Sequence, residues 1–425
     1  MKIVHLNTYQ NNGGAGKACL RLDTALRKAG LESEVWVNFS FEKEPLTKRF
    51  SNNFFRKWFT AAGIILERYA SKLIQKPLPV PFSLPVWGRD ISRHPALANA
   101  DIIHLHWINH AFLRPIDLSQ LAALGKPIVW TFHDSNAFTG GCHVRYSCEN
   151  YQDECGNCPL LKNPGPNDWS HRVWKNKQSA YQKLHFTVVA PSKWMASSVQ
   201  KSKLLGSVEI VNIPNTLDTA IFKPSAKQFA RQKLNLPSKK FILLSGFMPS
   251  RKDQHKGTPY LIEAIELFLK EYQVDADQVE LVVFGNRDEK NLPDFAINTT
   301  FLGTISDDEK LALCYSAADA FIAPSLEDNL PNTVLESLAC GTPVVAFETG
   351  GIPDMVSHQQ NGYLAQYRSA DDLAKGIHWI FEHPDRELLN ANARKTIMEQ
   401  FSEEVIAAKH LNLYQSLLKQ PHVPA

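Results

Sequence analysis

APSLEDNLPNTVLESLACGTPVVAFETGGIPDM, residues 323–355, is the stretch whose reading decides the fold of this 425-residue chain. Pro331 and Asn332 open a helix, since proline suits a first turn where its missing N–H costs nothing. Val334, Leu335, Leu338 and Ala339 give that helix an apolar face, Gly341 ends it, and Pro343 prevents its continuation. Val344-Val345-Ala346-Phe347 follows, a short apolar run of the kind buried on both faces of a parallel sheet. Thr349-Gly350-Gly351 then lies at the carboxyl end of that strand, where open α/β sheets bind ligands. The helix N-terminus offers free N–H groups and a positive dipole end, which suits a phosphate. Asp328 and Glu336, eight residues apart, are placed to turn both carboxylates into one crevice and accept hydrogen bonds from sugar hydroxyls. An isolated pair of this kind is more often a helix cap beside an exposed glutamate, so the surrounding pattern decides.

From Pro324 to Pro353 that pattern resembles the donor-site signature of retaining glycosyltransferases of the GT-B fold, family 4. The signature is two acids separated by seven residues, a small-residue helix, G-x-P-V-V and a G-G turn. The family carries glutamate at the first acid; strict spacing from Glu336 reaches Asp328, with Glu327 beside it, so both are candidates. The resemblance implies an α/β chain with two Rossmann-like doubly wound domains facing across a cleft. It also implies Asn329, Leu330, Gly350 and Gly351 as donor-binding residues, a UDP- or GDP-sugar as donor, and a glycan or lipid-linked glycan as acceptor.

Composition agrees with a globular protein: 44% hydrophobic and 21% charged. The length suits two domains. A net charge of +3 is too small to argue for nucleic acid. No apolar run reaches the ~18–20 residues of a transmembrane helix. MKIVHLNTYQ reads as a strand start and not a signal peptide, which predicts a cytoplasmic protein.

The first domain is expected over residues 1–214. Met1 to Asn7 is its first strand, the glycine loop Asn11 to Gly16 follows, Lys17 to Ala29 is a helix and Glu34 to Val37 the second strand. This opening is not G-x-G-x-x-G and no acid sits where a ribose would want one, which argues against a dinucleotide; by the resemblance Gly13 and Gly14 face donor phosphate and acceptor. Between Leu46 and Lys76 seven cations meet only Glu67, interleaved with Phe54, Phe55, Trp58, Phe59, Ile64, Ile65 and Leu66. Such a basic, aromatic helix either lies on an anionic membrane surface, placing the protein peripherally on its inner face, or packs on its own domain. Pro77, Pro79, Pro81 and Pro85 predict an extended linker. Ile128 to Phe132 is a strand ending in His133-Asp134, and His133 matches the family's crevice histidine.

Cys142, Cys148, Cys155 and Cys158 fall in one Gly-, Asn- and Pro-rich loop, residues 139–162. Cys155-Gly-Asn-Cys158 has the spacing of half a structural zinc site, while Cys142 and Cys148 are more widely spaced than the usual other half. Structural zinc, thiol redox chemistry and unligated cysteines remain open; an odd total of seven argues against a disulfide framework. Trp174 to Leu184 is expected as a helix, 215–238 as the interdomain linker, 239–400 as the nucleotide-sugar domain, and 401–425 as a helix able to cross back to the first domain. At the second domain's first strand–helix junction, Lys256-Gly257 matches the family's K-G, and Arg251 has the spacing of a second phosphate cation. These residues together predict a retaining glycosyltransferase of polysaccharide biosynthesis that needs no metal for catalysis, since Arg251 and Lys256 replace one. A nucleotide-sugar epimerase and a non-enzymatic sugar-binding protein are the rival readings.

Overall fold

The computed structural model describes residues 1–10, 13–40, 47–50, 54–77, 81–246, 255–285 and 294–420, with side chains of the helix Phe54–Ile74 described from Trp58 onward. Two compact units divide the chain: residues 1–216 together with 406–425, and residues 217–405. In the first unit the strands are β1 (Lys2–Tyr9), β2 (Glu32–Phe39), β3 (Thr47–Arg49), β4 (Ile102–Leu105), β5 (Ile128–Thr131), β6 (Thr187–Ala190) and β7 (Ile210–Asn212). They form one parallel sheet in the order β3-β2-β1-β4-β5-β6-β7. The second unit carries β8 (Phe241–Gly246), β9 (Val279–Phe284), β10 (Asn298–Gly303), β11 (Ala320–Ala323), β12 (Val344–Phe347) and β13 (Gly362–Ala365). These too are parallel, in the order β10-β9-β8-β11-β12-β13. Both sheets are therefore doubly wound, as expected, with the strand order reversing between β1 and β4 and between β8 and β11. Crevices at such switch points, beyond the carboxyl ends of the strands, are where these folds place ligands.

The strands are buried because their residues are apolar on both faces: Val344, Val345, Ala346 and Phe347 are all inaccessible to solvent. Four local expectations change. Asn11 and Asn12 of the expected glycine loop lie outside the described residues, and Gly13 to Gly16 are not loop but the first turn of the helix Gly13–Lys28, entered through Gly13 at φ +80°; a first turn has no intrahelical acceptors for its N–H groups, so glycines there cost less than in mid-helix. Residues 215–238 are not a free linker, because Leu217, Phe222, Ala230 and Leu236 are buried in the core of the second unit. The proline-rich segment is packed where it is described, with Phe82, Ser83 and Leu84 buried and Ser83 N–H donating to Gly141 O (2.9 Å). The helix expected from Trp174 runs Trp169–Tyr181, because the Asp168 carboxylate caps Ser170 N–H (2.9 Å) and His171 N–H (3.3 Å). The last helix, Glu403–Lys419, packs from Ile406 onward with the first unit, burying Ile406, Ala407, Tyr414 and Leu417 with Leu22 and Leu26.

Candidate functional site

In the second unit the loop between β11 and the helix Asn332–Ala339 is held from two sides by backbone. On one side Leu326 N–H donates to His255 O (2.9 Å), and Gly257, at φ +71°, lies so close that a Cβ would come 1.8 Å from Pro324 O. On the other, Gly351 N–H donates to Asp328 O (3.0 Å), Thr349 Oγ1 donates to Leu326 O (3.1 Å), and a Cβ on Gly350, at φ +56°, would come 1.8 Å from Asp328 O. Only glycine combines that φ with that approach. The loop after β11 is thus clamped between the segments following β8 and β12, and its polar residues face a fixed frame.

Within that frame Lys256 Nζ pairs with Asp328 Oδ2 at 3.0 Å. The cation expected to face a diphosphate is thus already in contact with one of the two first-acid candidates, and any phosphate arriving there competes with Asp328 for it. Glu327, Asn329 and Leu330 are buried beside it. Glu336 is 2% exposed, and its Oε2 accepts a hydrogen bond from the Tyr315 hydroxyl (2.9 Å). Tyr315 comes from the helix Asp308–Ala317 and is wedged by Phe284 and Phe321, while Thr342 Oγ1 donates to its carbonyl (2.7 Å). Sequence reasoning missed Tyr315, which stands in an apolar run 21 residues from its partner with no motif around it. Arg251 lies outside the described residues.

The first unit gathers histidines along the centre of its sheet: His5 and His104 lie within β1 and β4 and pair across them, while His106 and His133 follow β4 and β5. His133 Nε2 meets His106 Nδ1 at 3.0 Å, and His106 Nε2 meets His5 Nδ1 at 3.0 Å. His104, stacked on His106 with centroids 4.4 Å apart, bonds Thr131 Oγ1 and the Tyr414 hydroxyl of the last helix, both at 2.7 Å. Burial drives these rings toward the neutral form: His133 and His410 are lowered to about 4, His5 to about 3, and His104 and His106 fall well below the ordinary range. His5, Cys19 and His106 also bring ligating atoms within 4.8 Å of one another, yet both nitrogens of His106 are already engaged by neighbouring rings. Beside His133, Asp134 accepts from His143 Nδ1 (2.6 Å), Trp107 Nε1 (2.7 Å) and Asn136 N–H (2.8 Å). Burial works to raise its pKa, but His143 and these donors hold it below the usual carboxylate value. His143 reaches on through Nε2 to Ser83 Oγ (2.8 Å). Gly13 and Gly14, the first-unit candidates near the phosphate, form the exposed first turn of Gly13–Lys28.

The four loop cysteines are all free thiols and line one cavity of about 20 Å³. No three of their sulfurs lie within 4.8 Å of one another. Burial pushes the Cys142 thiol up, and takes Cys155 to about 12 and Cys158 to about 11.

The helix Phe54–Ile74 packs one face inward through Ile64, Glu67 and Ser71 and turns Trp58, Phe59, Ile65, Leu66, Tyr69 and Leu73 to solvent, the last six between 49% and 68% exposed. Glu67, the acid expected to offset its cations, is inside: its Oε2 accepts from Ala111 N–H (2.7 Å), and burial raises its pKa to about 7. No helix among the described residues is long and apolar enough to cross a membrane.

Comparison with known proteins gives a family to each half of the chain. Residues 12–221 match the family described as Glycosyltransferase Family 4, and residues 226–396 that described as Glycosyl transferases group 1. An uncharacterized glycosyltransferase of Methanocaldococcus jannaschii is 30% identical over 184 residues, 41% of this chain and 45% of the relative. The Campylobacter jejuni N,N'-diacetylbacillosaminyl-diphospho-undecaprenol alpha-1,3-N-acetylgalactosaminyltransferase is 28% identical over 201 residues, 45% of this chain and 49% of the relative. The matches span about half the length of such curated relatives. Among solved structures, Anabaena HepE in complex with UDP superposes with a TM-score of 0.62 at 17% identity, covering 98% of this chain and all of HepE. WaaG, a glycosyltransferase involved in lipopolysaccharide biosynthesis, does so at 0.62 and 15%, covering 97% of this chain and 99% of WaaG. At such identities the likeness establishes the GT-B fold.

Proposed function

The chain belongs to the family 4 glycosyltransferases of the GT-B fold, and from that premise we propose that it transfers a sugar, with retention at the anomeric carbon, from a nucleoside-diphosphate sugar to a glycan or lipid-linked glycan of a surface polysaccharide. The observation that carries the reading is the clamped loop at the carboxyl ends of β8, β11 and β12, with Lys256, Asp328 and Glu336 fixed within it. In the reaction the bond between the anomeric carbon and the diphosphate breaks, so negative charge grows on phosphate while the sugar becomes oxocarbenium-like. Lys256 and the N–H groups opening Asn332–Ala339 take up the first charge from fixed positions, which is where preorganised donors act most strongly. Glu336 receives the ribose hydroxyls, and Asp328 or Glu327 orients the donor sugar. His133, neutral at pH 7, bonds a sugar hydroxyl without repelling the cationic carbon. The UDP complex of HepE and the lipid-linked substrate in the Campylobacter relative's name support a nucleotide donor and a lipid-linked acceptor.

The exposed stripe of Phe54–Ile74, flanked by Arg68 and Lys72, is the surface that meets an anionic membrane, where each cation contributes on the order of 1 kcal/mol. Sedimentation with phosphatidylglycerol vesicles is expected to be lost in high salt and in the Trp58→Ser, Tyr69→Ser double variant; indifference to both removes this surface from the proposal. The activity itself is tested by incubating the protein with UDP-, GDP- and ADP-sugars, with and without lipid-linked glycans. A product whose anomeric configuration matches the donor, formed only with acceptor present, is the expected result. Donor consumed equally without acceptor, with an epimerised sugar released, favours the epimerase reading.

A further inference from the structure

We propose that Cys142, Cys148, Cys155 and Cys158 ligate one zinc ion, and that this centre fixes the loop that supports Asp134 beside His133. The four thiols surround one cavity rather than being scattered over the loop, and none is engaged in a disulfide. Hydrogen-bond donors are already aimed at two of the sulfurs: Gly140 N–H at Cys155, and Leu160 and Leu161 N–H at Cys158. Donors of this kind orient thiolate ligands and are the usual outer shell of a metal site.

Charge points the same way. Four thiolates and one Zn²⁺ carry a net charge of −2. Two cations stand at the cavity: Arg145 lines it, and Lys177, 4% exposed, is close enough to Cys142 and Cys155 to interact with both. Lys177 Nζ donates to Thr139 O (2.9 Å), Asn136 Oδ1 (3.2 Å) and Asn136 O, all of them uncharged acceptors. A buried ammonium is costly unless negative charge faces it; Asp134 is close enough to supply part of that charge, and a tetrathiolate centre beside Cys142 and Cys155 adds the rest. The backbone adds strain that needs a cause, since Cys155, Gly156 and Asn157 are successively at φ +55°, +97° and +46°. Left-handed conformations are unfavourable for most non-glycine residues and persist where the surroundings impose them.

In a tetrahedron of Zn–S bonds of about 2.3 Å the sulfurs sit about 3.8 Å apart. Here no three sulfurs are within 4.8 Å, so ligation turns the cysteine side chains inward, into the cavity they already surround. The functional consequence follows from chain connectivity. Cys142 is joined to His143, which bonds both Asp134 and Ser83, and Lys177 ties the carbonyl oxygens of Asn136 and Thr139 together. Closing the thiolate cage therefore fixes the position from which His143 holds Asp134.

The test is metal analysis of the full chain purified without chelator, with X-ray absorption at the zinc edge. About one zinc per chain surrounded by four sulfurs is expected, and none in the Cys155→Ser, Cys158→Ser variant, while a Cys19→Ser, Cys314→Ser variant keeps its zinc. In case the first variant does not fold, the wild-type chain is also stripped with a zinc-selective chelator and followed by amide hydrogen exchange. Faster exchange over residues 134–162 with β8, β11 and β12 unchanged supports the centre and its coupling to Asp134. Iron with acid-labile sulfide, a disulfide between any two of the four cysteines, or four reactive thiols in metal-free protein overturns it. Zinc released with no change of exchange around Asp134 overturns the coupling. None of these readouts depends on transfer activity, so failure here is distinct from failure of the glycosyltransferase reading.

Discussion

At the carboxyl edge of β11 the candidate side chains are ionic, and backbone holds them: Lys256 faces Asp328, and glycines at 257 and 350 bring neighbouring loops into contact with the chain carrying the acids. At the carboxyl edges of β4 and β5 the candidate side chains are imidazoles held by one another: His133 on His106, His106 on His5, with His104 stacked alongside. The difference matches the two charges made in the proposed reaction. Under the proposed reaction a departing diphosphate would meet a fixed cation of the second unit, while the first unit offers rings that burial keeps neutral. Each unit has solved the problem of placing polar groups at a sheet edge, one through ion pairing and the other through a relay of uncharged hydrogen bonds.

The largest expected effect breaks the ionic half. Lys256→Ala removes a preorganised cation and is expected to lower kcat about 10²–10³-fold, or about 2.7–4 kcal/mol; steady-state kinetics within threefold of wild type would remove Lys256 from the diphosphate. Next comes the residue that holds Glu336. Tyr315→Phe leaves a buried carboxylate without one of its donors, a cost of about 1–3 kcal/mol. It is expected to raise the donor KM by about tenfold or more with a smaller change in kcat, whereas a loss confined to thermal stability would mean that Tyr315 only packs.

The imidazole half is probed by pH. Its rings have native pKa values below the ordinary 6.5, so the unfolded chain binds more protons than the native one between those values. Their contribution is complete above about pH 6.5 and is lost as pH falls toward about 4, on the order of 3 kcal/mol for a ring lowered to about 4. Thermal melts from pH 7.5 to 4.5 are expected to show a steep loss of stability that His133→Phe makes shallower; parallel curves would show that His133 carries no such penalty. The smallest effect runs in the opposite direction. Glu67 has its native pKa raised to about 7, so stability present below its unfolded value is lost as pH rises through about 7. Glu67→Gln is expected to flatten that slope, and an unchanged slope would show that Glu67 is not its source.

The two halves were unequally legible in the sequence. The doubly wound fold could be read because each strand is a continuous apolar run and the acids, helix, strand and glycines of residues 323–355 are local in sequence. The histidine relay could not, since residues 5, 106 and 133 meet only through the register that pairs His5 with His104 across β1 and β4. Tyr315 was hidden for the same reason, and His143 was visible only as a neighbour of Cys142. Gly13 and Gly14 were read as a loop because glycine disfavours helices in mid-span, a rule with less force in a first turn. Residues 215–238 read as a linker because Pro214 to Asp218 resembles the family's interdomain turn, yet Leu217 and Phe222 are wholly buried. Glu67 looked like a counter-charge on a basic helix, although helical spacing turns it to the inner face with Ile64 and Ser71.

The central claim is that a nucleoside diphosphate sits on the clamped loop with its ribose on Glu336. Titration calorimetry with UDP, GDP and ADP, on wild type and on Glu336→Gln, tests it most directly. The account predicts that one diphosphate binds the wild-type chain and that the substitution weakens it at least tenfold while the melting temperature of the unliganded protein changes little. Equal affinity of the two proteins for that diphosphate, or no binding of any of the three to the wild type, would contradict it.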